Sequence, residues 1–262
     1  MGILSVIKIN DGLWQFCENL RENHNVDAYL ITGDKRALFI DALQDVTGVY
    51  PEIKKITGLP VDCIILHGHG DHDGPACREI KEAGGAVYIH PRDIPLAMGE
   101  GGDKFPPSFF TPIEAGAEID LGGVKLEIML LPGHTPGSLT ALDRKRHWLF
   151  SSDTIGSGPF WVQLPHSMPL HEVRDNLKAF YEKVKQYDDL LIYPGHRYQS
   201  PGQIGLSYIA DTLEAVELIL AGKVTGEKMD IPFRIQGQGP DAVWLSVHHK
   251  GSLGLAYNPA NL

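Results

Sequence analysis

The feature that most constrains this chain is a cluster of histidines and aspartates directly after a short apolar run. Val61–Leu66 is typical of a buried β-strand, and the sequence His-Gly-His-Gly-Asp-His-Asp-Gly follows it. Because side chains alternate along an extended chain and glycine lets it bend, His67, His69 and Asp71 can share one side while His72 is displaced from them. Imidazole and carboxylate groups that converge in this way suit zinc, iron or manganese. The alternative is a polar surface loop that carries these residues by chance.

Three more residues of metal-binding type lie at predicted strand ends downstream, each flanked by small residues or prolines. His134 lies in LPGHTPGS, Asp153 in LFSSDTIG and His196 in LIYPGHRY. Each of them alone could be an ordinary loop residue. Their occurrence together with the first cluster favours a metal site built from several loops.

The composition of the chain limits the classes of protein to which it can belong. A chain of 262 residues with 43% hydrophobic and 21% charged residues is an ordinary globular chain, which excludes disorder, collagen and a coiled coil. No linker divides it, so we expect a single domain over residues 1–262. The net charge of -10 disfavours nucleic acid as a partner.

The cysteines and the hydropathy of the chain indicate in which cellular compartment the protein is expected. Cys17, Cys63 and Cys77 include no CxxC pair, so we expect neither a disulfide framework nor a thiolate metal site, and a reducing cytoplasm is the simplest location. No run approaches the roughly 18 apolar residues that span a bilayer, and the first residues lack the features of a secretory signal. We therefore expect no membrane partner.

Apolar periodicity predicts strands and helices along the whole chain. In Leu170–Tyr187, apolar residues recur at steps of three and four, which predicts a helix with one face packed on a sheet, and Ile204–Leu220 repeats the pattern. The Gly- and Pro-rich stretch Met98–Pro112 is expected to be a loop. The start of the chain is expected to form a first strand, and the tail from Met229 is again β-like. Further helices are predicted at 48–57 and 75–83, and strands at 27–32, 36–43, 61–66, 86–90, 117–120, 124–131, 138–143, 147–150 and 190–193. This pattern predicts an α/β fold, a sandwich with helices outside two sheets.

The order HxHxDH, PGHTPG, SSD and PGH resembles the metallo-β-lactamase superfamily, from about Ile31 to His196. The resemblance implies a four-layer αββα sandwich with a dinuclear site at one edge of the paired sheets. It also implies two divalent metal ions, zinc before iron or manganese. The implied ligands are His67, His69 and His134 for the first metal and Asp71, His72 and His196 for the second, with Asp153 as the bridge.

The chemistry of such a pair predicts hydrolysis. Two adjacent cations lower the pKa of a water between them towards neutrality and so supply hydroxide as a nucleophile. The second cation can polarise a carbonyl or phosphoryl oxygen, while Asp71 is the catalytic residue that holds the water and accepts its proton. The chain looks most like the small-molecule branch of the superfamily, with glyoxalase II and the quorum-quenching lactonases. We therefore predict hydrolysis of a small ester, thioester or lactone.

The substrate pocket is predicted from the loops that flank the ligands. Aromatic side chains beside a polar site commonly form the apolar wall of a pocket, and packing onto the body of the domain is the equally weighted alternative. The pocket candidates are Phe109, Phe110, Phe160 and Trp161, with Arg197 and Tyr198 placed to contact an acidic or carbonyl group. Solvated surface positions are expected for His166, His171, His248 and His249, and a structural role for His90.

Three other functions remain open from the sequence. A mononuclear iron persulfide dioxygenase shares many of the metal-ligand motifs. A phosphodiesterase or nuclease of the RNase Z or β-CASP type shares the first motif but should carry a basic surface. A non-catalytic binding protein would refuse metal. The segment after His196 lacks a clear basic cluster for the carboxylates of glutathione, which disfavours a glutathione thioester as the substrate. The expected partner is a small-molecule substrate, and a homodimer is left open.

Overall fold

A computed structural model of the chain describes residues 2–21, 24–99, 104–200, 202–228, 245–247 and 254–262. Within these residues the helices are α1 Val49–Ile56, α2 Pro75–Glu82, α3 Ile94–Ala97, α4 Leu170–Val184 and α5 Leu206–Leu220. The strands up to the middle of the chain are β1 Ile3–Asn10, β2 Leu13–Arg21, β3 His24–Thr32, β4 Ala37–Ile40, β5 Val61–Ile65, β6 Val87–Ile89, β7 Thr111–Pro112 and β8 Glu118–Asp120. The remaining strands are β9 Lys125–Leu130, β10 Leu139–Asp143, β11 Trp148–Ser152, β12 Phe160–Val162, β13 Leu191–Pro194, β14 Glu227–Lys228, β15 Leu245–Val247 and β16 Leu255–Tyr257.

The first sheet contains seven strands that lie in chain order from β1 to β7. Strands β1 to β4 pair antiparallel, and β4 to β7 pair parallel. Every residue of β5 is buried. Cys63 and Ile65 belong to the apolar cluster on one face of the sheet and Ile64 to the cluster on the other, because both faces of this strand are covered.

The second sheet contains five strands in the order β13-β11-β10-β9-β8. Strands β11 and β13 pair parallel, and the other neighbours pair antiparallel. A smaller sheet joins four short strands in the order β12-β16-β15-β14.

Three apolar clusters define the layers. One lies between the two large sheets and contains Tyr29 and Ile64 from the first sheet and Phe150 from the second. Another packs α1 and α2 on the outer face of the first sheet, and a third packs α4 and α5 on the outer face of the second. The order of layers is therefore helix, sheet, sheet, helix, which confirms the predicted αββα sandwich.

The two long helices follow their apolar periodicity. In α4 the buried residues recur at steps of three and four, namely Leu170, Val173, Leu177, Phe180 and Val184. The helix ends at Val184, and α5 begins at Leu206, so both are slightly shorter than the sequence predicts. None of the helices in the described part of the chain is long and apolar enough to cross a membrane.

Some local predictions need correction. The N-terminal segment forms a two-stranded hairpin with its turn at Asp11 and Gly12 rather than a single strand, and Gly12 adopts a φ of 75° there. The predicted loop Met98–Pro112 contains the short strand β7 and a 3₁₀ turn at Pro107–Phe109. Most of the tail from Met229 lies outside the described residues, but within this predicted β-like tail Leu245–Val247 form β15.

Candidate metal centre

Strand ends position all seven candidate ligands at one edge of the sandwich. The loop of His67 to His72 follows β5, and His134 follows β9. Asp153 and His196 follow β11 and β13, which are parallel neighbours with Ser152 opposite Pro194, so the two side chains emerge beside each other. A backbone hydrogen bond of 2.7 Å from Leu139 N–H to the Leu66 carbonyl ties the two sheets together at this edge.

The candidate ligands form two groups. The donor atoms of His67, His69 and His134 lie within 4.8 Å of one another. The donor atoms of the second group meet the same limit, and its members are Asp71, His72, Asp153 and His196. The structure thus brings the residues together in the two sets that the resemblance implies.

Asp153 lies between the two groups. Its Oδ2 atom is 3.9 Å from His134 Nε2 in the first group and 3.3 Å from His196 Nε2 in the second, while its Oδ1 atom is 3.4 Å from His72 Nε2. Asp71 Oδ2 is 3.5 Å from His196 Nε2 and 3.7 Å from His72 Nε2. The carboxylate of Asp153 therefore lies within reach of both groups.

Four of the five histidine rings are fixed through Nδ1, which turns their Nε2 atoms towards the centre of the site. The Nδ1 partners are Ser152 Oγ for His67 at 3.0 Å, Asp41 Oδ2 for His72 at 3.2 Å, the Trp161 carbonyl for His134 at 2.6 Å and the Asn25 carbonyl for His196. His69 differs, because its Nδ1 atom faces His134 Nε2 at 2.9 Å.

Several buried side-chain atoms in the site have no hydrogen-bond partner among the described residues. They are His67 Nε2, His72 Nε2 and Asp153 Oδ1. Because His134 donates from Nδ1 to a carbonyl, its Nε2 presents a lone pair towards His69. Buried polar atoms without a partner are costly, and a cation held among these atoms would satisfy them. The residues therefore fit divalent metal ions.

Burial keeps the three-histidine group neutral. It lowers the pKa of His67 well below the usual value and that of His69 to about 3, and neighbouring imidazoles add to both effects. Burial also lowers the pKa of His134. Neutral imidazole is the form that binds metal, so these rings need not lose a proton first near pH 7.

Opposite charges compensate each other in the second group. Burial by itself raises the pKa of Asp71 and Asp153, but the neighbouring His72 and His196 hold both pKa values below their usual range. Burial lowers the pKa of His196, yet the carboxylates of Asp153 and Asp71 together outweigh this and raise it to about 10. A cation bound by this group would displace the protons of the two imidazoles, and the two carboxylates would then offset its charge.

Two buried aspartates support the ligands, and sequence reasoning missed both. Asp41 follows β4 with a φ of 61° and accepts the Leu66 N–H at 3.0 Å in addition to contacting His72. Asp27 in β3 accepts hydrogen bonds from Gln15, from Asn25 and from the backbone N–H of Arg197. For Asp41, the available sequence signal was a single carboxylate within the apolar run Ala37–Leu43.

The aromatic pocket candidates separate into two kinds. Phe110 packs with Phe105 and Phe109 in the cluster on the α2 side of the first sheet, and Phe160 lies in the cluster beneath α4 and α5 with 1% exposure. Phe110 and Phe160 are therefore buried in apolar clusters, which favours the alternative of packing onto the body of the domain. Phe109 and Trp161 are half-buried.

The remaining candidates lie as follows. Arg197 and Tyr198 form a 3₁₀ turn directly after His196, with Arg197 half-buried and Tyr198 67% exposed. His166 and His171 are exposed, as expected. His90 is buried and its ring accepts a hydrogen bond from the Arg92 N–H, which agrees with a structural role. His248 and His249 lie outside the described residues.

The family of the chain follows from a match over most of its length. The model of the Metallo-beta-lactamase superfamily matches residues 21–196, which contain all seven candidate ligands. The chain belongs to this superfamily. The resemblance seen in the sequence motifs is thereby confirmed.

Individual relatives and solved structures agree with this membership. Over 138 residues the chain is 28% identical to a hydroxyacylglutathione hydrolase of Anaeromyxobacter dehalogenans, covering 52% of this chain and 47% of that protein. It is 26% identical to a beta-lactamase-like protein 2 homolog of Caenorhabditis elegans, covering 65% and 55%, and 25% identical to the acyl-coenzyme A thioesterase MBLAC2 of Gallus gallus, covering 61% and 68%. The match thus spans about half the length of the first two relatives. A metallo-beta-lactamase from Pontibacter korlensis shares the fold with a TM-score of 0.65 at 17% identity, covering 82% of this chain and 99% of that one.

Proposed function

We propose that this member of the superfamily is a metal-dependent hydrolase that uses two divalent cations to cleave a small acyl thioester or ester. The observation that carries the proposal is the position of Asp153 within reach of both ligand groups. One carboxylate placed between two sets of ligands supports a dinuclear site rather than two unrelated ones. The names of the relatives, a hydrolase and a thioesterase, agree with this class of enzyme.

The seven ligands would hold the cations in the two groups described above. We propose zinc first, with iron or manganese as alternatives, because imidazole and carboxylate donors suit all three. When bound, the pair supplies Lewis acidity and lowers the pKa of a water molecule.

Asp71 is the proposed proton acceptor. Its side chain is 31% exposed, whereas that of Asp153 is 13% exposed, so Asp71 is the carboxylate that solvent reaches more readily. His72 and His196 contact the same oxygen of Asp71 and fix its orientation. The carboxylate can hold a water molecule by accepting a hydrogen bond and then take its proton.

The substrate approaches from the side of Gly70 and Asp71. His67 and His72 are fully buried and form the floor of the site, while His69 is partly exposed and Gly70 is exposed. We therefore propose that the substrate enters on this exposed side of the loop between β5 and α2.

The proposed bond is a thioester before an oxygen ester or lactone. The names of two relatives, hydroxyacylglutathione hydrolase and acyl-coenzyme A thioesterase, both describe an acyl group carried on a thiol. Arg197 and Tyr198 follow His196 in a 3₁₀ turn, and we propose that they contact an acidic or carbonyl group of the substrate. The small-molecule substrate, the cytoplasmic location and the single domain remain part of the proposal.

The experiment pairs metal analysis with a substrate panel. Inductively coupled plasma analysis of metal-replete protein should give close to two equivalents. The panel contains a thioester, an oxygen ester, a lactone, a phosphodiester and a β-lactam, and we expect the highest kcat/KM on the thioester. Asp71→Asn should lower kcat by about 100-fold or more, in line with loss of a general base. Asp188→Asn removes an exposed carboxylate after α4 and should behave as the parent does.

Other outcomes would assign another function. Protein without metal after metal-replete purification would contradict the proposed centre. Activity confined to the phosphodiester would indicate the nuclease-like branch, and oxygen consumption with a glutathione persulfide would indicate a dioxygenase. An Asp71→Asn variant with parental turnover would show that the proton acceptor is assigned wrongly.

A further inference from the structure

A buried carboxylate outside the ligand set joins the two histidine loops of the first group. Asp93 has no exposed surface and ends a 3₁₀ turn, Pro91–Asp93, that follows β6. The sequence motifs do not include it, and in the described part of the chain its carboxylate forms no hydrogen bond or ion pair with the five histidine rings. Its partners are instead in the backbone and side chains between the ligands.

Each oxygen of Asp93 accepts hydrogen bonds from the loops. Oδ2 accepts the Gly68 N–H at 2.9 Å and the Thr135 hydroxyl at 2.6 Å, and Oδ1 accepts the Gly137 N–H at 2.6 Å. Gly68 lies between His67 and His69. Thr135 directly follows the third histidine of the group, and Gly137 lies two residues further along. One carboxylate therefore binds both loops that supply this group.

The two loops also pack closely on Asp93. A Cβ atom added at Gly68 would lie 2.5 Å from the Asp93 carbonyl oxygen, and one added at Gly137 would lie 2.5 Å from Asp93 Oδ1. Such distances leave no room for a side chain at either position. The glycines bring the backbone of both loops against the same residue.

The loops need such a connection because they come from different sheets. His67 and His69 follow β5 of the first sheet, and His134 follows β9 of the second. Their separation is set by how the two sheets meet. A carboxylate that accepts hydrogen bonds from both loops fixes this separation locally, to within the tolerance that a metal site requires.

We propose that Asp93 is a positioning residue that fixes the three-histidine group and so sets its affinity for metal. This inference rests on the proposed metal centre. In Asp93→Asn one carboxylate oxygen becomes an amide NH₂, which faces a donor instead of accepting from it. We expect one of the two metal-binding steps to weaken by about 10- to 100-fold, the range found when groups that orient ligands are replaced.

The test measures zinc affinity by competition with a chromophoric chelator and thermal unfolding in parallel. Asp143→Asn is the matched control, because Asp143 is a buried carboxylate that accepts backbone N–H groups of Lys145 and Arg146 at the far end of β10. The control should lower Tm without weakening either metal-binding step. Asp93→Asn should weaken one metal-binding step even if its Tm equals that of Asp143→Asn.

A second pair of variants keeps the test decisive if Asp93→Asn does not fold. Thr135→Val removes the hydroxyl that binds Asp93, and Thr135→Ser keeps it, so we expect weaker zinc binding only in the valine variant. Equal zinc affinities across Asp93→Asn, Thr135→Val and the parent would overturn the inference. A parent that binds two metal ions but hydrolyses no panel substrate would refute the proposed reaction and leave the affinity test intact. A parent that binds no metal would refute both.

Discussion

Gly68→Ala tests whether the first ligand loop has room for a side chain. The added Cβ atom would lie 2.5 Å from the Asp93 carbonyl oxygen, 2.9 Å from Leu96 Cβ and 3.0 Å from the Ala97 amide nitrogen. Two of these neighbours are backbone atoms, so relief requires movement of the loop or of α3. Gly58 is the matched control, because a Cβ atom there meets nothing within 4 Å.

The expected magnitude follows from the cost of overpacking. A forced contact of this kind costs about 1–3 kcal/mol of unfolding free energy. In a chain of this size about 1 kcal/mol corresponds to roughly 2–4 °C in Tm, so we expect a fall of about 2–12 °C for Gly68→Ala. Gly58→Ala should be neutral or stabilise the protein by up to about 1 kcal/mol, because alanine restricts the unfolded chain.

The assay separates stability from metal binding. Thermal unfolding of chelator-treated protein reports the packing cost alone, and metal content after reloading reports the position of His67 and His69. We expect Gly68→Ala to be impaired in both measurements and Gly58→Ala in neither. Identical Tm and metal content in the two variants would refute the argument that the loop is packed against Asp93.

Further predictions address the bridge, the aromatic residues and the support of the second group. Asp153→Asn should lose one of the two metal ions first, measured by inductively coupled plasma analysis, and parental metal content and rate would refute its bridging role. Phe160→Ala should lower the unfolding free energy by about 3–5 kcal/mol in urea titrations, because the ring is buried in a core cluster. Trp161→Ala should instead lower kcat/KM for substrates with long or aromatic acyl groups at nearly unchanged Tm, and a large fall in Tm with unchanged substrate ranking would reject a pocket role. Asp27→Asn should cost about 1–3 kcal/mol in the same urea titrations, because three donors point at this buried carboxylate, and no measurable loss would contradict that account.

The sequence by itself determined the elements with a long regular pattern and the residues able to bind metal. The spacing of apolar residues in α4 predicts the buried face that the structure shows, since a helix of 15 residues repeats its period several times. The buried strand β5 was visible as a compact apolar run bounded by glycine and proline. Family motifs singled out all seven candidate ligands, because histidines and aspartates next to glycine form short motifs that are recognisable in the sequence.

Very short strands, and strands without a clear apolar alternation, were not predicted from the sequence. Strands β12 and β16 have three residues each, which is too few for a periodic pattern. They pair with each other although they lie almost 100 residues apart in the chain. The N-terminal hairpin escaped because its first strand is largely exposed and lacks a clear alternation. The burial of Phe160 beside the half-buried Trp161 was also undecided, because neighbouring residues in a strand face opposite sides and only packing chooses the side.

Tertiary structure alone decided how the ligands are held. Asp27 and Asp93 lie in unremarkable sequence, and each gains its role from hydrogen bonds to loops that are distant in the chain. The same is true of Asp153, whose distances to the two ligand groups follow from the parallel pairing of β11 with β13 and from the meeting of the two sheets. Local sequence specifies which donor groups a loop carries, whereas their separation depends on the packing of sheets that the sequence encodes only through long-range contacts.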